Sequence, residues 1–292
     1  MPGRDIAFKT SDRVTLRGWF FTPSSFSGKL PCLVMAHGFA AQNETGRGNS
    51  WSISRRTRLS LFAYENRCIG ASDGEPRRGI VPSLQLSDYA DAITFAQTLP
   101  EVNPNNIAIW GSSYSEGHVL TVSAVDRRVK AVISQVPLIS GWETFHRIHR
   151  SDFIPGLNKL FSEQSVSFYR QARAKGEEPG RLPVVDKDSR ALSVLPSEGS
   201  FVGYSSGLPS GWRNDVILKR HSEHISPTPL LMVVADTDVV TTTDLAHNAF
   251  ARAKEPKQLH LLTAGHSDRY DGHIYDKNVS IQIKFLEDRL LK

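Results

Sequence analysis

One serine, one histidine and a pair of aspartates carry the chemistry that the sequence suggests. Ser113 stands in Gly111-Ser-Ser-Tyr-Ser115, directly after the apolar run Ile107-Ala-Ile-Trp110 and before a helix-compatible stretch. Small residues two positions to either side suit a sharp strand-to-helix turn, where backbone and helix pack too closely for larger side chains. Such a turn lifts the serine hydroxyl clear of the strand and aims the N–H of the next residue, Tyr114, at the oxyanion of an acyl-transfer intermediate. The pentapeptide alone is common by chance, and a serine-rich turn capping a helix is the competing reading. A serine hydroxyl is a weak nucleophile at neutral pH. It needs a general base within hydrogen-bond reach and a third group that fixes the base's tautomer. His266, in Thr263-Ala-Gly-His-Ser-Asp268 after the apolar run 258–262, offers the base. Asp236-Thr-Asp238, after the apolar run 229–235, offers a carboxylate, and the residues by themselves leave both aspartates open.

These turns need strands and helices to hold them. Residues 5–9 and 14–21 are β-rich runs around Thr10-Ser-Asp-Arg13 and predict an opening hairpin. Pro31-Cys-Leu-Val-Met-Ala-His-Gly38 is continuously apolar and reads as a strand buried on both faces of a parallel sheet. A strand over 58–64, a helix over 82–99 stopped by Pro100, the strand 107–110 and the helix after Ser113 follow. Strands at 130–136, 229–235 and 258–262, a helix from about 243 to 254 and an amphipathic helix ending near Leu291 complete the series. This alternation predicts an α/β domain with a mostly parallel, doubly wound sheet, whose binding residues gather at the C-terminal ends of its strands. Between 139 and 227 the rhythm breaks into prolines, glycines and scattered aromatics. The expected organisation is therefore a core of 1–138 and 228–292 with an inserted helical cap at 139–227.

Composition narrows the classes. With 39 % hydrophobic and 22 % charged residues over 292 positions, the chain has the make-up of a soluble globular protein with a sizeable core. The first residues lack an apolar leader and no apolar run is of bilayer length, so the expectation is a cytoplasmic protein without membrane insertion. A net charge of +5, interspersed along the chain, is too mild to predict nucleic-acid binding. The two cysteines, Cys32 and Cys68, sit in or beside apolar runs as small hydrophobes, and no disulfide is expected. His146 with His149, and His221 with His224, have spacings that could grip a metal. No cysteine or carboxylate cluster completes either pair, so neither metal nor cofactor is expected.

Several segments together, spread over nearly the whole chain, carry a resemblance: Ala36-His-Gly-Phe39, Tyr64-Glu-Asn-Arg-Cys-Ile-Gly-Ala-Ser-Asp-Gly-Glu-Pro76, Trp110-Gly-Ser-Ser-Tyr-Ser115, Val136-Pro-Leu-Ile-Ser-Gly-Trp142, Trp212-Arg-Asn214, Ile225-Ser-Pro-Thr-Pro-Leu230 and Gly265-His266. The sequence resembles the α/β hydrolases, and among them the group holding fungal polyketide transferases and related bacterial hydrolases. That resemblance implies the α/β-hydrolase fold, Ser113 as nucleophile, Asp238 as acid, His266 as base, and the backbone N–H groups of Phe39 and Tyr114 as the oxyanion hole. It favours Asp238 over Asp236 because the family's acid stands just before a small hydrophobic pair, here Val239-Val240. His37 is expected to order the oxyanion turn. The function implied is serine-dependent acyl transfer, as a hydrolase or acyltransferase, on an ester or thioester of a hydrophobic, polyketide-like substrate in secondary metabolism. An acyl carrier protein or coenzyme A thioester is the implied donor. The alternatives are a general carboxylic-ester hydrolase, and a hydrolase-fold scaffold that binds or cyclises a ligand without an acyl-enzyme.

The chain departs from the group in three places. Glu116 stands where a glycine is usual, the segment from Gln42 to Arg58 with Arg47, Arg55, Arg56 and Arg58 matches poorly, and 220–225 is short. Those arginines read either as a solvated basic loop or as a contact for acidic or phosphorylated groups on a carrier.

Overall fold

The computed structural model describes residues 3–38, 56–75, 77, 79–80, 82–156, 159, 175, 181–183, 203–205, 222–266, 268 and 272–291. Two β-rich runs pair as the antiparallel hairpin β1 (Arg4–Lys9) and β2 (Thr15–Phe21), and the backbone turns through Arg13 at φ 69°. The apolar runs that follow become β3 (Leu30–Ala36), β4 (Ser60–Tyr64), β5 (Val102–Ser112) and β6 (Val129–Gln135). A small ribbon of β7 (Arg181–Pro183) and β8 (Gly203–Ser205) stands apart, and β9 (Leu230–Ala235) and β10 (Lys257–Leu262) return to the main sheet. The eight strands lie in the order β1-β2-β4-β3-β5-β6-β9-β10, with β2 antiparallel to β4 and parallel pairing from β4 to β10.

Strand periodicity explains why both faces of this sheet are covered. In β3, Cys32, Val34 and Ala36 point to one face and Leu33 and Met35 to the other; in β9, Leu230, Met232 and Val234 oppose Leu231 and Val233 in the same way. The first face packs on α1 (Pro82–Thr98) through Tyr89, Ala92, Ile93 and Ala96, and on α2 (Tyr114–Val125) through Val119, Leu120 and Val122. After α3 (Gly141–Ile148), α4 (Thr243–Arg252) joins this layer through Leu245, Ala246 and Ala249. The second face packs on the C-terminal α5 (Gly272–Leu290) through Val279, Ile283, Phe285, Leu286 and Leu290. Both cysteines are free and buried. Burial pushes the Cys32 thiol up to about 12, which keeps it an unreactive apolar side chain.

The structure differs from the sequence pattern at β5, which begins at Val102 rather than at Ile107. Val102 pairs with Leu30 ahead of a register shift, and the segment Asn103-Pro-Asn-Asn106 stays extended up to the apolar run. Of residues 139–227, where an inserted cap is expected, α3, β7 and β8 are described, and most of the rest lies outside the described residues. Ser140 caps helix α3, its hydroxyl accepting the Glu143 N–H at 3.1 Å. Among the described residues no helix is long and apolar enough to cross a membrane.

The chain runs from β3 to β4 on one side and returns to β5 on the other. Strand order therefore reverses between β3 and β5, which opens a crevice at their C-terminal ends.

Candidate active site

Ser113 occupies that crevice, between the last residue of β5 and the first of α2, with φ 60° and ψ −112°. A non-glycine residue held at positive φ costs on the order of 1–3 kcal/mol and persists only where its surroundings over-determine it. They do so here. Its N–H donates to Gln135 O at 3.0 Å and its carbonyl accepts the Leu138 N–H at 3.2 Å, so the end of β6 holds both sides of the turn. The need for glycine at 111 is steric: a Cβ there would stand 2.5 Å from the Ser115 carbonyl oxygen. Gly38, just past β3, lies against the same turn, and a Cβ on it would meet Ser112 O at 2.8 Å and the Ser113 Cβ at 3.2 Å.

The His266 ring completes a hydrogen-bonded chain. Its Nε2 lies 3.1 Å from Ser113 Oγ and its Nδ1 lies 2.7 Å from Asp238 Oδ2. With Asp238 ionised, Nδ1 carries the proton and Nε2 is left to accept from the serine. The Asp238 side chain is 1 % exposed and that of His266 16 %. Burial pushes the Asp238 carboxyl up. The hydrogen bond and charge of His266, with bonds from Thr241, outweigh burial and hold it below the ordinary carboxylate value. Asp238 Oδ1 accepts the N–H groups of Val240 and Thr241, each at 2.8 Å, so a tight turn after β9 fixes the carboxylate.

The structure separates the two aspartates. Asp236 is exposed and its Oδ1 accepts the Ala264 N–H at 3.0 Å, bracing the loop that carries His266 without touching the ring. His37 Nδ1 donates to Gly38 O at 2.8 Å, and Asn66 Nδ2 donates to His37 O at 3.3 Å. Burial lowers the His37 pKa, so the ring serves the turn as a neutral donor. Phe39, expected to give one oxyanion donor, lies outside the described residues, as do Arg47, Arg55, His221 and Trp212. Tyr114 opens α2 and packs edge-on against His118, with centroids 4.9 Å apart. Burial lowers His118 to about 4, so it is neutral at physiological pH. Glu116 is fully buried in the first turn of α2. Arg56 is exposed and reaches across the surface to α5, donating to Asp276 at 2.9 Å and to Ser280 at 2.7 Å, and Arg58 is exposed as well. Among the described residues no group of three or more histidines, cysteines or carboxylates could hold a metal ion.

Sequence reasoning missed two parts of this site. Thr241 packs against the Asp238 carboxylate; a threonine three residues after an aspartate at a strand end was the available signal. Behind the turn lies a buried amide network, in which Gln135 Oε1 accepts Asn278 Nδ2 and Gln282 Nε2, each at 2.6 Å, and Gln282 Oε1 accepts the Trp110 indole N–H at 2.7 Å.

No family model matches the chain. It is 31 % identical to the polyketide transferase grgF of a Penicillium species, over 98 % of this chain and 97 % of that protein. It is 27 % identical to a thiohydrolase of Eupenicillium brefeldianum over 98 % of this chain and 96 % of that one. The crystal structure of the α/β hydrolase GrgF from Penicillium sp. sh18 superposes with a TM-score of 0.81 at 29 % identity, covering all of both chains. Sheet order, the turn at the β3/β5 crevice and full-length similarity agree: this chain is a hydrolase-type enzyme that belongs to the α/β-hydrolase superfamily, in the group of the fungal polyketide transferases and thiohydrolases.

Proposed function

We propose that the enzyme transfers an acyl group from a thioester or ester of a hydrophobic, polyketide-like acid, using Ser113 as nucleophile, His266 as general base and acid, and Asp238 to orient and stabilise the imidazolium. The observation that carries this reading is the unbroken hydrogen-bonded chain from Ser113 Oγ through His266 to Asp238. In the first half-reaction Oγ attacks the acyl carbonyl carbon while its proton passes to Nε2. The carbonyl π pair moves onto oxygen, which the Tyr114 N–H and a second N–H from the turn after Gly38 stabilise; the close approach of Gly38 to Ser113 supports that placement. Collapse reforms the carbonyl and breaks the bond to sulfur or oxygen, and His266 returns the proton to the leaving thiolate or alkoxide. Water or a second nucleophile then attacks the acyl-enzyme, gives its proton to Nε2 and releases the acyl product, with the proton restored to Oγ.

The thioester preference rests on the relatives named thiohydrolase and polyketide transferase. The hydrophobic acyl group is supported by the apolar cluster of Ile69, Ile80, Tyr114 and Leu138 beside the turn. The acyl chain lies under the 139–227 insertion, which we take as a cap. Any carrier or coenzyme A contact falls to the arginines at 47, 55, 56 and 58, of which Arg56 also pairs with Asp276 at the surface. The test is turnover of a hexanoyl N-acetylcysteamine thioester beside its matched oxygen ester. The reading expects thiol release by the wild type and its loss in Ser113→Ala; thiol release that survives in the folded variant contradicts it.

A further inference from the structure

Thr241 sits where three parts of the site meet, and it is buried at 3 % exposure. Its N–H donates to Asp238 Oδ1 at 2.8 Å. Its hydroxyl has two acceptors, Asp238 Oδ2 and the Val136 carbonyl, each 2.9 Å away, and lies 3.4 Å from His266 Nδ1. A hydroxyl owns one proton, so these acceptors share it.

The Val136 carbonyl is placed by an unusual backbone. Val136 has φ 52°, in the left-handed region that a β-branched residue rarely enters, and it is 1 % exposed. Its N–H donates to Val233 O at 2.7 Å, on the strand that leads to the acid. Gln135, just before it, accepts the N–H of Ser113, and Leu138, two residues after it, donates to the Ser113 carbonyl. One short segment, 135–138, thus grips the nucleophile turn through its amides while Val136 O receives the hydroxyl of Thr241.

We infer that Thr241 is a positioning residue that ties the acid to the nucleophile turn, orienting Asp238 toward His266 and limiting how much negative charge its Oδ2 presents to the imidazole. This rests on the triad reading of Ser113, His266 and Asp238. Asp238 Oδ1 is held by two backbone N–H groups that no side-chain change removes. At Oδ2 the Thr241 hydroxyl is the only partner besides His266 among the described contacts, so it alone can be tuned by sequence.

The test compares Thr241→Val, which keeps the shape and removes the hydroxyl, with Thr241→Ser, which keeps the hydroxyl. Two readouts apply: kcat and KM for the hexanoyl thioester, and the downfield proton resonance of the His266 Nδ1–H in substrate-free protein. The Val variant is expected to lose about tenfold in kcat at unchanged KM. Its resonance shifts because Oδ2 becomes a stronger acceptor, and the Ser variant recovers both. If the Val variant fails to fold, Thr241→Ala against Thr241→Ser gives the same comparison. A Val variant with wild-type kcat and an unmoved resonance overturns the inference, and so does a Ser variant as impaired as Val. Failure of the wild type to turn over thioester defeats the proposed function instead, and the resonance still tests Thr241.

Discussion

Two buried carboxylates sit near C-terminal strand ends or the helices behind them, and their surroundings put them to opposite uses. Asp88, on α1, faces the guanidinium of Arg67, which donates from Nε at 2.7 Å and from Nη2 at 2.5 Å; the other side of the guanidinium reaches Asp12 at 2.8 and 3.1 Å. The Arg67 and Asp88 side chains are 6 % and 0 % exposed. Asp238 also lies buried, but its partner is a histidine that leads on to a half-buried serine hydroxyl. Arginine does not give up its proton in a protein, so the first cluster stores charge and ties the β4 end to α1. Imidazole changes charge near neutrality, so in the proposed mechanism the second cluster takes up the serine proton at Nε2 and returns it there, while Nδ1 keeps its proton, donated to Asp238. The lesson is that burial and short distances do not distinguish a structural carboxylate from a working one; the chemistry of its partner does.

The largest effect expected of this contrast is on turnover. Asp238→Asn should cost on the order of 10⁴ in kcat through the wrong imidazole tautomer, with the fold intact. Asp236→Asn, which keeps an oxygen able to accept the Ala264 N–H and loses no contact with the ring, should stay within about fivefold. Steady-state kinetics on both variants check this, and reversed effects would break the comparison. Next comes stability. Arg67→Ala leaves Asp88 buried and unpaired and should cost about 3–5 kcal/mol in urea unfolding, while Arg67→Met with Asp88→Leu should recover most of it. A double variant as unstable as the single one would show that the pair's packing, rather than its charge, is what matters.

A smaller loss is expected in the amide network. Gln135→Leu strands the donors of Asn278 and Gln282 in the core and should lower stability by about 1–3 kcal/mol, read from the urea midpoint. The least effect belongs to Asp12, whose side chain is half exposed. The Arg67 guanidinium lowers its pKa from 3.8 to about 2. A depressed folded-state pKa stabilises above the unfolded value, so this contribution is full above pH ~4 and disappears as pH falls through about 2. Asp12→Asn should therefore remove less than about 1 kcal/mol at neutral pH and nothing measurable near pH 2, as paired unfolding curves will report.

Much of the fold was legible because its strands are apolar on both faces and its breaks are glycines and prolines. The turn at Ser113 was legible because Gly111 and Ser115 obey a steric rule that the structure repeats in distances. The choice between Asp236 and Asp238 was not open to inspection of residues alone, since both follow the same strand; the turn that offers the N–H groups of Val240 and Thr241 decides which carboxylate faces inward. Gln135, Asn278 and Gln282 were invisible for a related reason. Polar residues read as surface, and only tertiary packing brings α5 and β6 together so that the amides satisfy one another. The start of β5 was hidden by Pro104 and three asparagines that the edge of a parallel strand tolerates.

The central claim is that the chain from Asp238 through His266 activates Ser113. Treatment with a fluorophosphonate, followed by intact mass and peptide mapping, tests it most directly. The account predicts one adduct per chain on Ser113, abolished in Ser113→Ala and strongly slowed in His266→Ala. No adduct on the folded wild type, or labelling that maps to another residue, would contradict it.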